Sequence, residues 1–206
     1  MIYSRLLGAG ILLASTAMSS LAFAGDTWTG GYIGAVGGFS SLDADTVSFG
    51  NKFNDGSPVE GGFFGGDLGF NEQINNLVLG VEGDYAFSNA SGDSFIFTLP
   101  AFPLDMHSLG TIRARAGMAF GENENTLLFA TAGLAVGEFE RTDGGIHEKA
   151  THTGLVVGLG LEHMITDSVS IKAEYEYVKF GKKTYDRGET VKYDGHVVKL
   201  GVNFHF

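Results

Sequence analysis

The chain contains no cysteine and only 3 prolines in 206 residues. The first absence excludes disulfides, thiolate metal centres and cysteine nucleophiles, so a fold that passes through an oxidising compartment must be held together another way. Basic residues are also scarce, 13 Lys and Arg against 24 Asp and Glu, for a formal charge of −11. Without a basic field to attract phosphates, nucleic acid is excluded as a partner. Long apolar runs are missing too. Beyond the N-terminal segment, Gly or charge breaks every apolar stretch within about ten residues, short of the roughly 20 that a spanning helix needs.

The N-terminal segment has its own anatomy. Arg5 gives a short positive start, Leu6 to Ala17 is apolar, and Ala22-Phe23-Ala24 is a small-x-small cleavage site before Gly25. This is a secretory signal peptide, too short in its apolar core for an anchor. Residues 1–24 are therefore expected to be removed, leaving 25–206 as one domain. The chain also has 32 Gly and 17 Phe. That content of aromatics is incompatible with disorder and characteristic of β architecture.

Period-2 alternation is the decisive pattern. Leu77, Leu79, Val81, Tyr85 and Phe87 alternate with Val78, Gly80, Glu82, Asp84 and Ala86. Ile112, Ala114, Ala116, Met118 and Phe120 alternate with Thr111, Arg113, Arg115 and Gly117. The same rule holds from Leu127 to Gly137, Thr153 to Glu162, Val169 to Tyr177 and Val197 to Phe206. Two glycine-rich segments, Trp28 to Phe39 and Val59 to Phe70, complete eight strands, with Ile33, Ala35, Gly37 and Phe39 on the apolar face of the first. Segment lengths are near the roughly 9–11 residues with which a tilted strand crosses a bilayer. Connections alternate as well. Asn71 to Asn76, Gly121 to Thr126 and Thr166 to Ser168 are short, whereas Ser40 to Pro58, Ser88 to His107, Glu138 to Ala150 and Lys179 to Gly195 are long. The expected fold is all-β: an eight-stranded, antiparallel, up-and-down transmembrane barrel with short periplasmic turns and four long extracellular loops. Phe70, Tyr85, Phe87, Phe120, Tyr175, Tyr177, Phe204 and Phe206 are placed for the two aromatic girdles.

The segments "WTGGYIGAVGGFS", "VLGVEGDYAF", "GLGLEHMITDSVSIKAEYEYVKFG" and "HVVKLGVNFHF" resemble the porin-family outer-membrane surface antigens of alphaproteobacteria. These group with opacity-type proteins and the small transmembrane barrels of OmpA-like proteins. The resemblance extends over nearly all of residues 25–206. It implies an outer-membrane location among lipids and lipopolysaccharide, and it makes the terminal Phe206 the signal read by the barrel assembly machinery. OmpA-like proteins often continue into a peptidoglycan-binding domain; here the sequence stops at the barrel, so cell-wall tethering is not carried over.

With the apolar faces turned to lipid, a charged set faces inward: Asp67, Glu82, Asp84, Arg113, Arg115, Glu162, Lys172, Glu174, Glu176 and Lys199. Glu82 and Asp84 lie beside Arg113 and Arg115, which suits Arg–carboxylate pairing. Glu162, Lys172, Glu174, Glu176 and Lys199 fall on the last three strands as a second cluster. An ion pathway is one reading of such a set. An ion-paired filling is the other, favoured because an eight-stranded barrel is only wide enough for side chains to fill it.

Four histidines, His107, His147, His152 and His196, are expected near the outer side. Hemin-binding surface proteins occur among the wider relatives, so the resemblance makes these imidazoles candidate hemin or metal ligands. Their spacing matches no metal motif, and solvated loop residues are the alternative. An enzyme reading needs a nucleophile beside a base. Ser108 next to His107 is the only neighbouring Ser–His pair, and strand neighbours face opposite ways. In the second long connection Ile96, Phe97, Leu99, Phe102 and Leu104 form either a partner-binding patch or, as favoured here, a segment that folds over the barrel mouth or extends the strands above the membrane. In the last, Lys182, Lys183, Arg187 and Lys192 mix with Asp186, Glu189 and Asp194; a basic rim that pairs with lipopolysaccharide phosphates is one reading, and a solvated charge run is the default. The expected function is a non-enzymatic barrel that supports outer-membrane integrity and displays surface loops to the environment or a host. A hemin-binding barrel is the alternative, followed by a small-solute channel or a lipid-modifying enzyme.

Overall fold

A computed structural model describes residues 26–48, 51–53, 58–96, 99–143, 146–181, 183–184 and 190–206, with side chains over 26–43, 58–92, 105–140, 149–181 and 193–206. The expected signal peptide lies outside these residues, as does Phe97. So do the side chains of Ile96, Leu99, Phe102, Leu104, His147, Lys182, Lys183, Arg187 and Lys192.

Eight long strands form the wall: β1 (Gly30–Ser48), β2 (Val59–Ile74), β3 (Leu77–Ile96), β4 (Leu99–Phe120), β5 (Thr126–Asp143), β6 (Ile146–Thr166), β7 (Val169–Phe180) and β8 (Thr190–His205). Two short strands, Asn51–Phe53 and Lys183–Thr184, extend the outer edges of β1 and β8. Each long strand pairs antiparallel with the next, and β1 pairs with β8, so the sheet closes. Gly31 and Phe206 complete the seam with reciprocal backbone hydrogen bonds of 3.1 and 2.9 Å. Closure leaves no unpaired edge in hydrocarbon, where a free N–H or C=O would find no water.

The register fixes the stagger. Following paired residues around the barrel from Thr126 leads through His163, Ile171, Val202, Ala35, Gly66, Tyr85 and Gly110 to Val136, ten residues further along the same strand. Eight strands with that stagger tilt by about 40°, and their interior is just wide enough for side chains to fill.

Alternation places every strand as the sequence predicts. Ile33, Leu79, Ile112, Leu134, Leu159 and Leu200 stand outward and exposed, and their neighbours point inward. The predicted girdle rings Phe70, Tyr85, Phe87, Phe120, Tyr175, Phe204 and Phe206 are all on the outer wall.

The strands run further than predicted. β4, 22 residues long, rises about 55 Å at roughly 3.3 Å per residue and that tilt. The lipid-facing apolar band of such barrels is only about 25 Å tall. The excess is on the extracellular side, where segments read as loops continue the ladder: Glu138 to Ala150 is a hairpin paired as far as Asp143 with Ile146. Above the band the outward positions turn polar, as at Asn89, Glu138, Thr153 and His196. The physical reason is that a ladder already nucleated in the membrane extends at little entropic cost, and alternation with polar outer residues remains stable in water.

The opposite end is tight. Asn75 adopts φ 56° in the β2–β3 turn, a conformation Asn tolerates better than most residues. The β6–β7 turn is held by Thr166, whose hydroxyl accepts hydrogen bonds from the backbone of Ser168 and Val169. Between β4 and β5 the chain makes a single 3-10 turn, Glu122–Glu124, and folds beneath the lumen.

Candidate functional site in the barrel lumen

The lumen is stacked in three layers. At the periplasmic end Trp28, Val78, Ala119, Leu127, Phe129 and Met164 form an apolar floor. At the extracellular end a larger apolar cluster includes Leu42, Phe63, Met106, Phe139, Phe180 and Tyr193. Between them lie all ten charged residues picked out by alternation, each buried.

Arg113 is the hub. One terminal nitrogen contacts Glu174 at 2.6 Å and Glu176; the other contacts Asp84 at 2.8 Å and Glu82. Arg115 pairs with Glu162 and stands 3.6 Å from Glu82. Its guanidinium lies 3.8 Å from the centre of the Phe129 ring, a cation–π contact that seats it on the apolar floor. Lys172 reaches Asp67 at 2.6 Å and Glu82 at 2.8 Å, and Lys199 reaches Asp84 and Glu176 at 3.0 Å. Two clusters were expected. Closure merges them, because it sets β7 across the lumen from β3 and lets Arg113 join acids from both.

Four cations face six carboxylates, and neutral donors serve the excess. Tyr32 donates to Glu82 at 2.5 Å, Thr111 to Asp84 at 2.7 Å and Thr131 to Glu174 at 2.9 Å. Ser170 and Asn203 donate to Glu162 at 2.5 and 2.7 Å, with His205 at 3.5 Å. The sequence reading missed these helpers, although several sit two or four places from a charge on the same face. The His205 ring turns inward between Glu162 and the Trp28 and Tyr32 rings.

Space for the long side chains comes from small partners. Tyr32 lies opposite Gly69, and Phe129 opposite Gly117 and Gly160. A Cβ at Gly69 or Gly160 would collide with the facing ring, and one at Gly117 with the Leu128 carbonyl and the Phe129 Cβ.

The floor is tied from below. The Trp28 indole donates to the Glu124 carbonyl at 2.8 Å, its backbone N–H to Gln73 at 3.0 Å, and the Thr27 hydroxyl to the Asn123 carbonyl at 2.9 Å. Asn123 and Glu124 take positive φ to present these carbonyls. Trp28 was read as the start of the first strand; instead it precedes β1 and seals the periplasmic mouth.

The histidines do not converge. His107 is on the outside, 2.8 Å from Glu140. His196 is also outside, stacked on Tyr175 and 2.6 Å from its hydroxyl. His152 points into the lumen, edge-on to Phe139 and Tyr193. Strand alternation separates them, and the His147 side chain lies outside the described residues. Ser108 is buried while His107 is exposed, so that pair is also split across the wall.

Among known proteins, the family model for the outer membrane protein beta-barrel domain matches residues 10–206. A 22 kDa outer membrane protein of Rhizobium leguminosarum bv. viciae is 29% identical over 87% of this chain and 79% of its own. The 31 kDa outer-membrane immunogenic protein of Brucella melitensis is 31% identical over 87% and 84%. The 25 kDa outer-membrane immunogenic protein of Brucella abortus is 30% identical over 87% and 80%. In structure, the outer membrane protein OprG of Pseudomonas aeruginosa superposes with a TM-score of 0.59 at 16% identity, over 88% of this chain and 98% of that one. Neisserial surface protein A gives 0.52 at 20%, over 86% and 98%. These two establish the fold alone. The match along nearly the whole sequence does more: this chain belongs to the outer membrane protein beta-barrel domain family, and the outer membrane is where it resides.

Proposed function

We propose that the protein is a non-enzymatic, non-conducting barrel that stabilises the outer membrane and displays its extended outer hairpins to the surroundings. The observation that carries this reading is the filled lumen, an ionic layer closed above and below by apolar side chains. Each described lumen cation has at least two acidic contacts. A permeating ion would have to displace pairs that are costly to break in a desolvated interior. The immunogenic relatives support surface exposure of the hairpins. Phe206, at the seam, is the terminal aromatic offered to the barrel assembly machinery, and the outer rim meets lipopolysaccharide.

Deleting the gene tests the proposal. Sensitivity to detergent and to cationic antimicrobial peptides should rise, and return to normal on complementation; an unchanged envelope would refute the stabilising role. Hemin capture by loop histidines draws no support from the divergent imidazoles. A saturable Soret shift with the refolded protein, abolished by replacing His107, His147, His152 and His196 with Ala, would reinstate it.

A further inference from the structure

A groove of about 440 Å³ crosses the outside of the wall where β6, β7, β8 and β1 meet. It exists because Ala173 and Ala35 stand outward among bulky neighbours: Leu161 and Leu200 flank Ala173 in one paired row, and Ile171 and Val202 share the row beneath with Ala35. Its direction is set by the stagger. His163, Ile171, Val202 and Ala35 form one paired row. That row begins at Phe120 and Thr126, at the periplasmic girdle, and continues through Gly66 to Tyr85 at the outer girdle. The groove therefore starts at headgroup depth and climbs into hydrocarbon.

Its lower end is polar. His163 is exposed, and its Nδ1 lies 2.9 Å from the Thr126 hydroxyl. A second barrel is a poor occupant, because nine residues line the groove whereas stable protein interfaces use roughly 20–30 on each side. Lipopolysaccharide is confined to the other leaflet.

We propose that this groove binds one acyl chain of a periplasmic-leaflet glycerophospholipid, with the phosphate headgroup beside His163. The inference rests on the outer-membrane location, not on the closed lumen, so either can fail without the other.

Native mass spectrometry tests it on protein released in mild detergent from vesicles of phosphatidylethanolamine and phosphatidylglycerol. The wild type should retain one phospholipid per barrel. Ala173→Leu, which fills the floor, should lower the retained fraction about tenfold, as a mismatched methylene group does in an apolar pocket. His163→Ala should lower it less. Ala114→Leu, the same change on the opposite wall, should leave it unaltered, and the heat-modifiable gel shift of each variant verifies folding. Equal retention by wild type and Ala173→Leu, or no retained lipid in the wild type, would overturn the proposal. So would a wild-type dimer that Ala173→Leu dissolves, since the occupant would then be a second copy.

Discussion

Arg113 holds more of the interior together than any other described side chain. It touches four carboxylates from two strands on opposite sides of the lumen. Removing it leaves those charges buried and undercompensated. Arg113→Met should therefore cost about 3–5 kcal/mol, the usual penalty for breaking a buried ion network by one partner. Urea unfolding in lipid vesicles measures it. His107→Ala breaks only an exposed pair with Glu140 and should change stability by no more than about 0.5 kcal/mol. The ten charged lumen residues were readable from alternation alone, since period 2 assigns each to one face. Their partners were not. Contacts such as Arg113 with Glu174 depend on which strands oppose one another after closure, and spacing along the chain carries no such information.

Elements show the same division. Strand faces could be read because lipid demands an uninterrupted apolar stripe. Strand ends could not, because above the membrane a paired strand and a polar loop have similar composition. Ala132 sits midway along the outward stripe of β5, between Leu128 and Val136. Ala132→Arg should cost about 2–4 kcal/mol in vesicles, as cations do at the bilayer midplane; on a water-facing wall the same change would be near neutral. The segment before β1 yields a spectroscopic test. Trp28 is the only tryptophan in the chain and is 1% exposed in the floor of the lumen. On folding, its emission should shift to the blue and become inaccessible to iodide added from either side. Emission that stays quenchable would mean that the periplasmic mouth is open.

At the scale of the whole molecule, strand number and stagger decide what the barrel is able to do. A ten-residue stagger over eight strands leaves an interior that side chains can fill. This sequence fills it, with charge at mid-depth and apolar groups at both ends. On the proposed function, stability, impermeability and surface display would all follow from one arrangement: a wall filled inside by side chains, whose hairpins extend beyond the membrane. Planar-bilayer recording of the refolded wild-type barrel, with folding verified by heat-modifiable migration, tests that closure most directly. No stable conductance steps should appear. Reproducible steps from folded protein, lost when the protein is unfolded, would contradict a sealed lumen and make the ionic layer the lining of a channel.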